Sequence, residues 1–374
     1  MDEFRLGLKE AQTVVVKVGT RVLTHANGKL NLRYMEKVVR ELADLKNQGK
    51  NIALVSSGAV GAGIGRLGLK KKPESIPKKQ ALAAVGQGLL IQMYEKLFSE
   101  YGHVVAQVLL TRDDFNDRKR YLNSRNALSA LFDFGAVPII NENDTVAVEE
   151  IEFGDNDNLS AMVASILDAD LLVILSNIEG LYSGSPNDDQ SELVKVVENI
   201  TPEVKQWAGS AEDKLATGGM VTKVMAAEIA INSGIPMIIA HGREQGVLQR
   251  ILDGEDIGTL FCARDRCLAG RKRWIAYGQQ TRGSIVIDEG ASKALLHDGK
   301  SLLPSGILEI DGEFEQGDMV IIQDQNGQEL ARGLVNYSTE ELMLIKGLKT
   351  KKASEKLQRV CSEAVHRNNM VVYS

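Results

Sequence analysis

With 374 residues, 44% of them hydrophobic and 25% charged, the chain has the make-up of a globular protein with one large domain and a smaller one. A net charge of −6 and a pI near 5.6 argue against a generic nucleic-acid coat, and no apolar run approaches the ~20 residues of a membrane span. The acidic, mixed start MDEFRLGLKE is not that of a signal or transit peptide. Three cysteines, Cys262, Cys267 and Cys361, occur without a CxxC, which suits a reducing cytoplasm better than a disulfide scaffold or a zinc site. The five histidines are scattered, so no His-based metal site is expected.

Thr13–Val18 is a β-branched run bounded by Gly19, which predicts a buried strand. Lys17 interrupts it near its C-terminal end, the end at which α/β proteins place their ligands. Helical spacing of Met35, Val38, Val39, Leu42 and Leu45 predicts a helix capped by Asn31 and ended by Gly49. Asn51–Ser56 predicts a second buried strand. The stretch that follows, SSGAVGAGIGRLG from Ser56 to Gly68, is built of small residues, which let a backbone approach an anion or let neighbouring elements pack closely. Gly63–Gly68 matches GxGxxG, but it begins seven residues beyond the strand and lacks an acidic residue about 20 positions on, so it is not read as a dinucleotide fingerprint. No GxxxxGK[ST] occurs.

Helices are predicted over Lys79–Tyr101 and Asp117–Phe134, and strands over Val104–Leu110 and Val137–Ile140. Asn141–Ser160, NENDTVAVEEIEFGDNDNLS, then sets two polar clusters, Asn141–Asp144 and Asp155–Asn158, on either side of an alternating segment, Val146–Phe153. That pattern reads as a strand tip, a hairpin-like excursion and a helix entrance, although Asn and Asp are also ordinary turn and cap residues. Leu159–Leu167 continues as a helix, and Asp170–Leu175 is a buried strand ending at Ser176 and Asn177. Glu179–Asp189 is rich in turn formers. Lys214–Lys223, KLATGGMVTK, opens a helix running through Ile231; Pro236–Ala240 is a strand and Gly246–Leu252 a short helix. The alternation of strands and helices implies a parallel sheet covered on both faces. CARDRCLAGRKR, from Cys262, is charged and linker-like. Beyond Trp274 the chain turns β-rich, with Ser284–Ile287, Gly306–Ile310, Met319–Gln323 and Leu330–Val335 separated by turns such as Asp311-Gly312 and Asn326-Gly327.

Lys17 and Lys223, each beside glycine-rich loops, can clamp polyphosphate charge, and Thr217, Gly218 and Gly219 can offer backbone donors to phosphate. An acceptor carboxylate is ionised near pH 7, so phosphoryl transfer to it needs positioning and charge neutralisation but no general base, in keeping with the lack of a plausible His base. Asp155 and Asp157 suit orienting the lysines, or holding an ammonium group or hydrated Mg2+. Either lysine taken alone also reads as a solvated side chain.

Five segments together resemble the amino acid kinase family, in its branch with a C-terminal PUA domain: VVVKVGTRVLT from Val14, LVSSGAVGAG from Leu54, PIINENDTVA from Pro138, GDNDNLSA from Gly154 and TGGMVTK from Thr217. The match covers essentially the whole length. The resemblance implies a three-layer α/β/α sandwich with a mostly parallel central sheet over residues 1–262, a linker over 263–276, and a small, mostly β PUA domain over 277–374. It implies ATP-dependent phosphorylation of the γ-carboxylate of L-glutamate to L-glutamyl 5-phosphate, the first step of proline biosynthesis, in the cytoplasm and with Mg2+. A different small carboxylate, carbamate or nucleotide is the competing choice of acceptor.

By the same resemblance Lys17 and Lys223 stabilise the transferring phosphoryl group, and Asp157 holds both lysines. Ser57, Asp144 and Asn156 match glutamate-binding positions. The nucleotide would be met by Lys17, by Ser176 and Asn177 (where many relatives have Thr-Asp), and by Thr217, Gly218, Gly219, Met220, Val221, Thr222 and Lys223. Thr145–Phe153 would be a mobile flap over the acceptor. Feedback inhibition by proline at the glutamate site and a homodimer or homotetramer are further implications. The C-terminal part resembles PUA through VIDEGASKALLHDGKSLLPSGI and AVHRNNMVV. PUA modules in other proteins bind RNA, yet residues 277–374 hold 11 Lys and Arg against 14 Asp and Glu, a net of −3, which is poor electrostatics for a nucleic-acid backbone. The local basic run Lys349–Arg359, with Lys351, Lys352 and Lys356, reads as a solvated helix face.

Overall fold

The computed structural model describes residues 3–25, 27–69, 71–147, 156–184, 191–209, 219–263, 281–296, 298–357 and 363–373. The chain falls into two compact units, Met1–Asp114 with Arg118–Cys267, and Phe115–Asp117 with Leu268–Ser374.

The first unit is built on an eight-stranded sheet. Its strands are β1 (Thr13–Val18), β2 (Asn51–Ser56), β3 (Val105–Leu110), β4 (Val137–Glu142), β5 (Leu171–Ser176), β6 (Val196–Val197), β7 (Met237–His241) and β8 (Thr259–Phe261). They lie in the order β3-β4-β2-β1-β5-β7-β8-β6. Every neighbouring pair is parallel except β7 with β8. The central strands are Val, Ile and Leu runs, as a sheet covered on both faces requires; all six residues of β5 are buried.

The covering helices are α1 (Leu32–Asn47), α2 (Ala59–Leu67), α3 (Ile76–Ser99), α4 (Arg118–Asp133), α5 (Asp157–Ile166), α6 (Met220–Asn232) and α7 (Val247–Leu252). Alternation along the strands sorts the two faces. Val14, Val16, Val18, Ile52, Leu54, Leu171, Val173 and Leu175 share one apolar cluster with Tyr34, Met35 and Leu42 of α1 and Leu90 and Phe98 of α3. The intervening residues, Val15 and Lys17 among them, turn to the other face. The expected three-layer sandwich with a mostly parallel sheet is therefore what the chain forms.

The Asn31 cap is as expected: its Oδ1 accepts from the Tyr34 N–H at 3.2 Å. The glycine-rich stretch after β2 is different from an open loop. It is largely helix α2, started by Gly58 in a left-handed conformation with φ of 100°. Its glycines serve close helix crossing: a Cβ on Gly63 would stand 2.0 Å from the Leu82 carbonyl oxygen, and one on Gly86 of α3 would stand 1.7 Å from that of Ala59. Contact of that kind tolerates no side chain. β4 also runs two residues further than its apolar run, so the expected strand tip is itself strand, with Asn141 and Glu142 as its buried last residues. The linker-like residues from Arg264 on, and residues 148–153 of the Thr145–Phe153 excursion, lie outside the described residues.

The second unit is a five-stranded sheet of β9 (Gly283–Ile287), β10 (Ile307–Gly312), β11 (Met319–Gln323), β12 (Glu329–Val335) and β13 (Val365–Val372), in the order β10-β9-β11-β12-β13. Asn326-Gly327 makes the expected hairpin between β11 and β12, with Gly327 at φ of 81°. Asp311-Gly312 does not turn the chain; both residues pair with β9. The basic run folds as a helix, α8 (Thr350–Leu357), with Ala353 buried and Lys351, Lys352 and Lys356 exposed.

Candidate active site

Lys17 points to the face opposite the α1–α3 core, and there it meets the start of α5. Its Nζ lies 2.5 Å from Asp157 Oδ1, with Lys17 only 3% exposed. Asp157 is the first residue of α5 and is 0% exposed. Its Oδ2 accepts from Lys223 Nζ at 2.9 Å and from Thr222 Oγ1 at 3.0 Å. Lys223 stands in the first turn of α6 and is 4% exposed. Ionised groups taken this far from water need charged partners in good geometry. A carboxylate at a helix start also meets the positive end of the helix dipole. Two ammonium groups around one carboxylate make an electropositive cluster, suited to an anion. The α6 N-cap, Gly219, supplies no side-chain cap to the helix's first N–H groups, which again favours an anion there.

On the other side of β1 the end of β2 supplies a second, polar surface. Ser57 donates its backbone N–H to the Val18 carbonyl at 3.1 Å. Its Oγ is buried and has no hydrogen-bond partner among the described residues. A buried orphan hydroxyl is costly unless a ligand completes it. Asn156, the N-cap position of α5, donates Nδ2 to the Ser56 carbonyl at 2.9 Å and to Asn141 Oδ1 at 2.7 Å. Ser56 Oγ pairs with the Tyr94 hydroxyl at 2.9 Å. Burial pushes the Tyr94 phenol well above its ordinary range, so it stays neutral. Asp144 is half-exposed in the turn after β4.

Ser176, the last residue of β5, is buried beside the end of β1, and Asn177 next to it is exposed. Met220, Val221 and Thr222 form the start of α6. Thr217 and Gly218 lie outside the described residues, as does Asp155. Lys17, Asp157, Thr222 and Lys223 are thus joined directly, and Ser57 and Asn156 meet through the Ser56 carbonyl. Three residues were not picked out as site residues from the sequence. Asn141 and Gln87 of α3 bond to each other, Asn141 Nδ2 donating to Gln87 Oε1 at 2.8 Å. His241 pairs in register with Ser176 at the edge of the sheet. Its Nδ1 accepts from the Arg243 N–H at 3.1 Å.

A three-layer α/β/α sandwich with two buried lysines gathered on one carboxylate, at the C-terminal edge of its parallel strands, is the frame of a phosphotransferase. A model of the amino acid kinase family matches residues 12–241, and one of the PUA domain matches residues 283–357. Proteins named glutamate 5-kinase are similar over nearly their whole length. That of Moorella thermoacetica is 53% identical over 99% of this chain and 98% of its own. That of Caldanaerobacter subterraneus subsp. tengcongensis is 53% identical over 96% and 97%, and that of Thermoanaerobacter sp. strain X514 is 52% identical over 96% and 97%. The chain belongs to the amino acid kinase family. It is a kinase that uses ATP and carries a C-terminal PUA domain. Among the described residues no helix is long and apolar enough to cross a membrane.

Proposed function

We propose that the chain phosphorylates the γ-carboxylate of L-glutamate with ATP, giving L-glutamyl 5-phosphate for the first step of proline biosynthesis. The observation that carries this reading is the buried Lys17–Asp157–Lys223 cluster beside the polar end of β2. A γ-carboxylate oxygen attacks the γ-phosphorus, the bond to the β–γ bridging oxygen breaks, and ADP leaves. Lys17 and Lys223 neutralise charge on the phosphoryl oxygens, and Asp157 fixes both ammonium groups before the substrates arrive. The nucleophile is already ionised, so no base is required. Ser57 Oγ suits a substrate carboxylate. Asn156 and Asp144 suit the ammonium group, since Asn156 has committed its Nδ2 and offers its Oδ1. Ser176, Asn177 and the residues from Thr217 to Lys223 take the nucleotide.

Among the described residues no group of three His, Cys, Asp or Glu side chains could hold a metal ion. Mg2+ in this reading comes with the nucleotide's phosphates, the usual mode for this ion, and no step is routed through a protein metal site. L-Proline shares the α-carboxylate and ammonium chemistry of glutamate, so feedback inhibition belongs at the same contacts. A cytoplasmic homodimer or homotetramer, with domains at 1–262 and 277–374 joined by 263–276, completes the reading. The test is ADP release with and without L-glutamate, with hydroxylamine trapping of the acyl phosphate and a panel of other small carboxylates and carbamate. Turnover that ignores glutamate, or prefers another acceptor, overturns it.

A further inference from the structure

We infer that Gln87 is a positioning residue for the amino-acid acceptor, acting through Asn141 on Asn156. The inference rests on the acceptor reading just given. Three carboxamides run in a line from the start of α5 through β4 to α3: Asn156 Nδ2 to Asn141 Oδ1 at 2.7 Å, and Asn141 Nδ2 to Gln87 Oε1 at 2.8 Å. A carboxamide has two faces of opposite sense, and nothing in its shape chooses between them. Here the choice is made at one end. The Ser56 backbone carbonyl only accepts, so Asn156 must turn its NH2 toward it at 2.9 Å. Asn141 must then turn its oxygen to Asn156 and its NH2 to α3. Gln87 is the group that accepts from that NH2.

Gln87 thereby closes the line. Without its oxygen, the Asn141 NH2 loses its acceptor in a buried place, at a site only 3% exposed. A full flip of Asn141 would set NH2 against NH2 at Asn156 and is no remedy, so Asn141 would instead tilt or shift to find its NH2 another acceptor. Asn156, still turned by the Ser56 carbonyl, would lose its second anchor, and its Oδ1 would be placed less firmly for a substrate ammonium group. The same helix carries a second such support. Gln80, two turns earlier on the same face, donates to the Thr145 and Ala147 carbonyls at 3.3 and 3.5 Å, in the segment that includes Asp144. One face of α3 thus braces both parts of the acceptor side, while Lys17, Asp157 and Lys223 have no part in the line.

The test compares the full-length wild type with Gln87→Met, which keeps volume but loses the acceptor, and Gln87→Glu, which keeps an acceptor oxygen. Steady-state kinetics are read against both substrates, with melting temperatures alongside. The expected result for Gln87→Met is a KM for L-glutamate raised about tenfold, with kcat and the KM for ATP within about twofold of wild type. Gln87→Glu is expected to recover most of the glutamate KM. If Gln87→Met does not fold, Gln87→Asn, which keeps the amide but falls a bond short, is expected to show the same glutamate-specific rise. An unchanged glutamate KM, or an equal loss for both substrates with a lowered melting temperature, would show a merely structural glutamine and overturn the inference. A wild type whose ADP release ignores glutamate would overturn the acceptor reading itself, and this inference with it.

Discussion

Lys50 and Lys17 are both buried lysines beside β1 and β2, at opposite ends of the same strands. Lys50 precedes the first residue of β2 and donates to the Ala11 carbonyl at 2.6 Å and the Lys9 carbonyl at 3.5 Å. Nearby, the Asp170 carboxylate accepts from the Gln12 and Thr13 N–H groups, each at 2.8 Å. At this N-terminal end charged side chains are completed by the backbone, and they tie the strand starts together. At the C-terminal end Lys17 is completed by Asp157, a side chain that also holds Lys223. Burial of charge is common to both ends, so burial alone does not mark function. What differs is the partner. Backbone carbonyls are fixed and satisfy one cation each, whereas a shared carboxylate gathers two cations around a point where an anion can sit.

The largest expected effect breaks the C-terminal end. Lys17→Ala or Lys223→Ala should lower kcat by about 10²–10³-fold or more, by analogy with the loss of one transition-state donor. Circular dichroism should show the fold intact. Near-normal turnover in either variant would remove that lysine from the phosphoryl site. Asp157→Asn leaves both ammonium groups without their carboxylate, and it should lose about 3 kcal/mol of stability together with turnover.

A smaller effect is expected where the cations are structural. Lys50→Met should cost about 1–2 kcal/mol in urea unfolding while leaving kcat and both KM values unchanged. Arg5→Met should cost more, about 2–3 kcal/mol, because its guanidinium donates to the carbonyls of Lys195, Glu255, Ile257 and Gly258. A kinetic change in either variant with stability held would erase the contrast between the two kinds of buried cation.

Much of this was legible in the sequence, for a physical reason in each case. Lys17 interrupts a β-branched run, so its strand and its end were readable from period and composition. Asp157 and Lys223 sit in short motifs whose spacing matches the family. Helix α2 was harder to read, because its buried face is Ala59, Ala62 and Gly63, whose small side chains give little apolar periodicity. The short strands β6 and β8 have two and three residues, too few to show a period. Asn141 and Glu142 read as a tip because polar residues end an apolar run, and pairing with Leu109 and Leu110 of β3 makes them the strand's last two residues. Gln87 left no local signal at all. It lies 54 residues from its partner, and only the fold brings the two together.

The smallest expected effect concerns the C-terminal unit, where the question is again which partner a cation has. Lys351, Lys352 and Lys356 are exposed along one short helix, and Ala353 packs inward, with Leu357 partly buried against the same core. Water completes these lysines, unlike either lysine at the ends of β1 and β2. A solvated cation contributes little to stability, so Lys351→Glu with Lys352→Glu should move the melting temperature by less than a degree or two and leave glutamate-dependent ADP release unchanged, as surface substitutions usually fall within about 0.5 kcal/mol. The same variant tests the helix as a nucleic-acid contact. Residues 277–374 carry a net charge of −3, counting 11 Lys and Arg against 14 Asp and Glu, so single-stranded RNA should bind neither protein measurably at about 0.15 M salt. RNA binding that is steep in salt and vanishes in the double variant would show that these lysines serve a polyanion, and a cation completed only by water would then be as functional as one completed by Asp157.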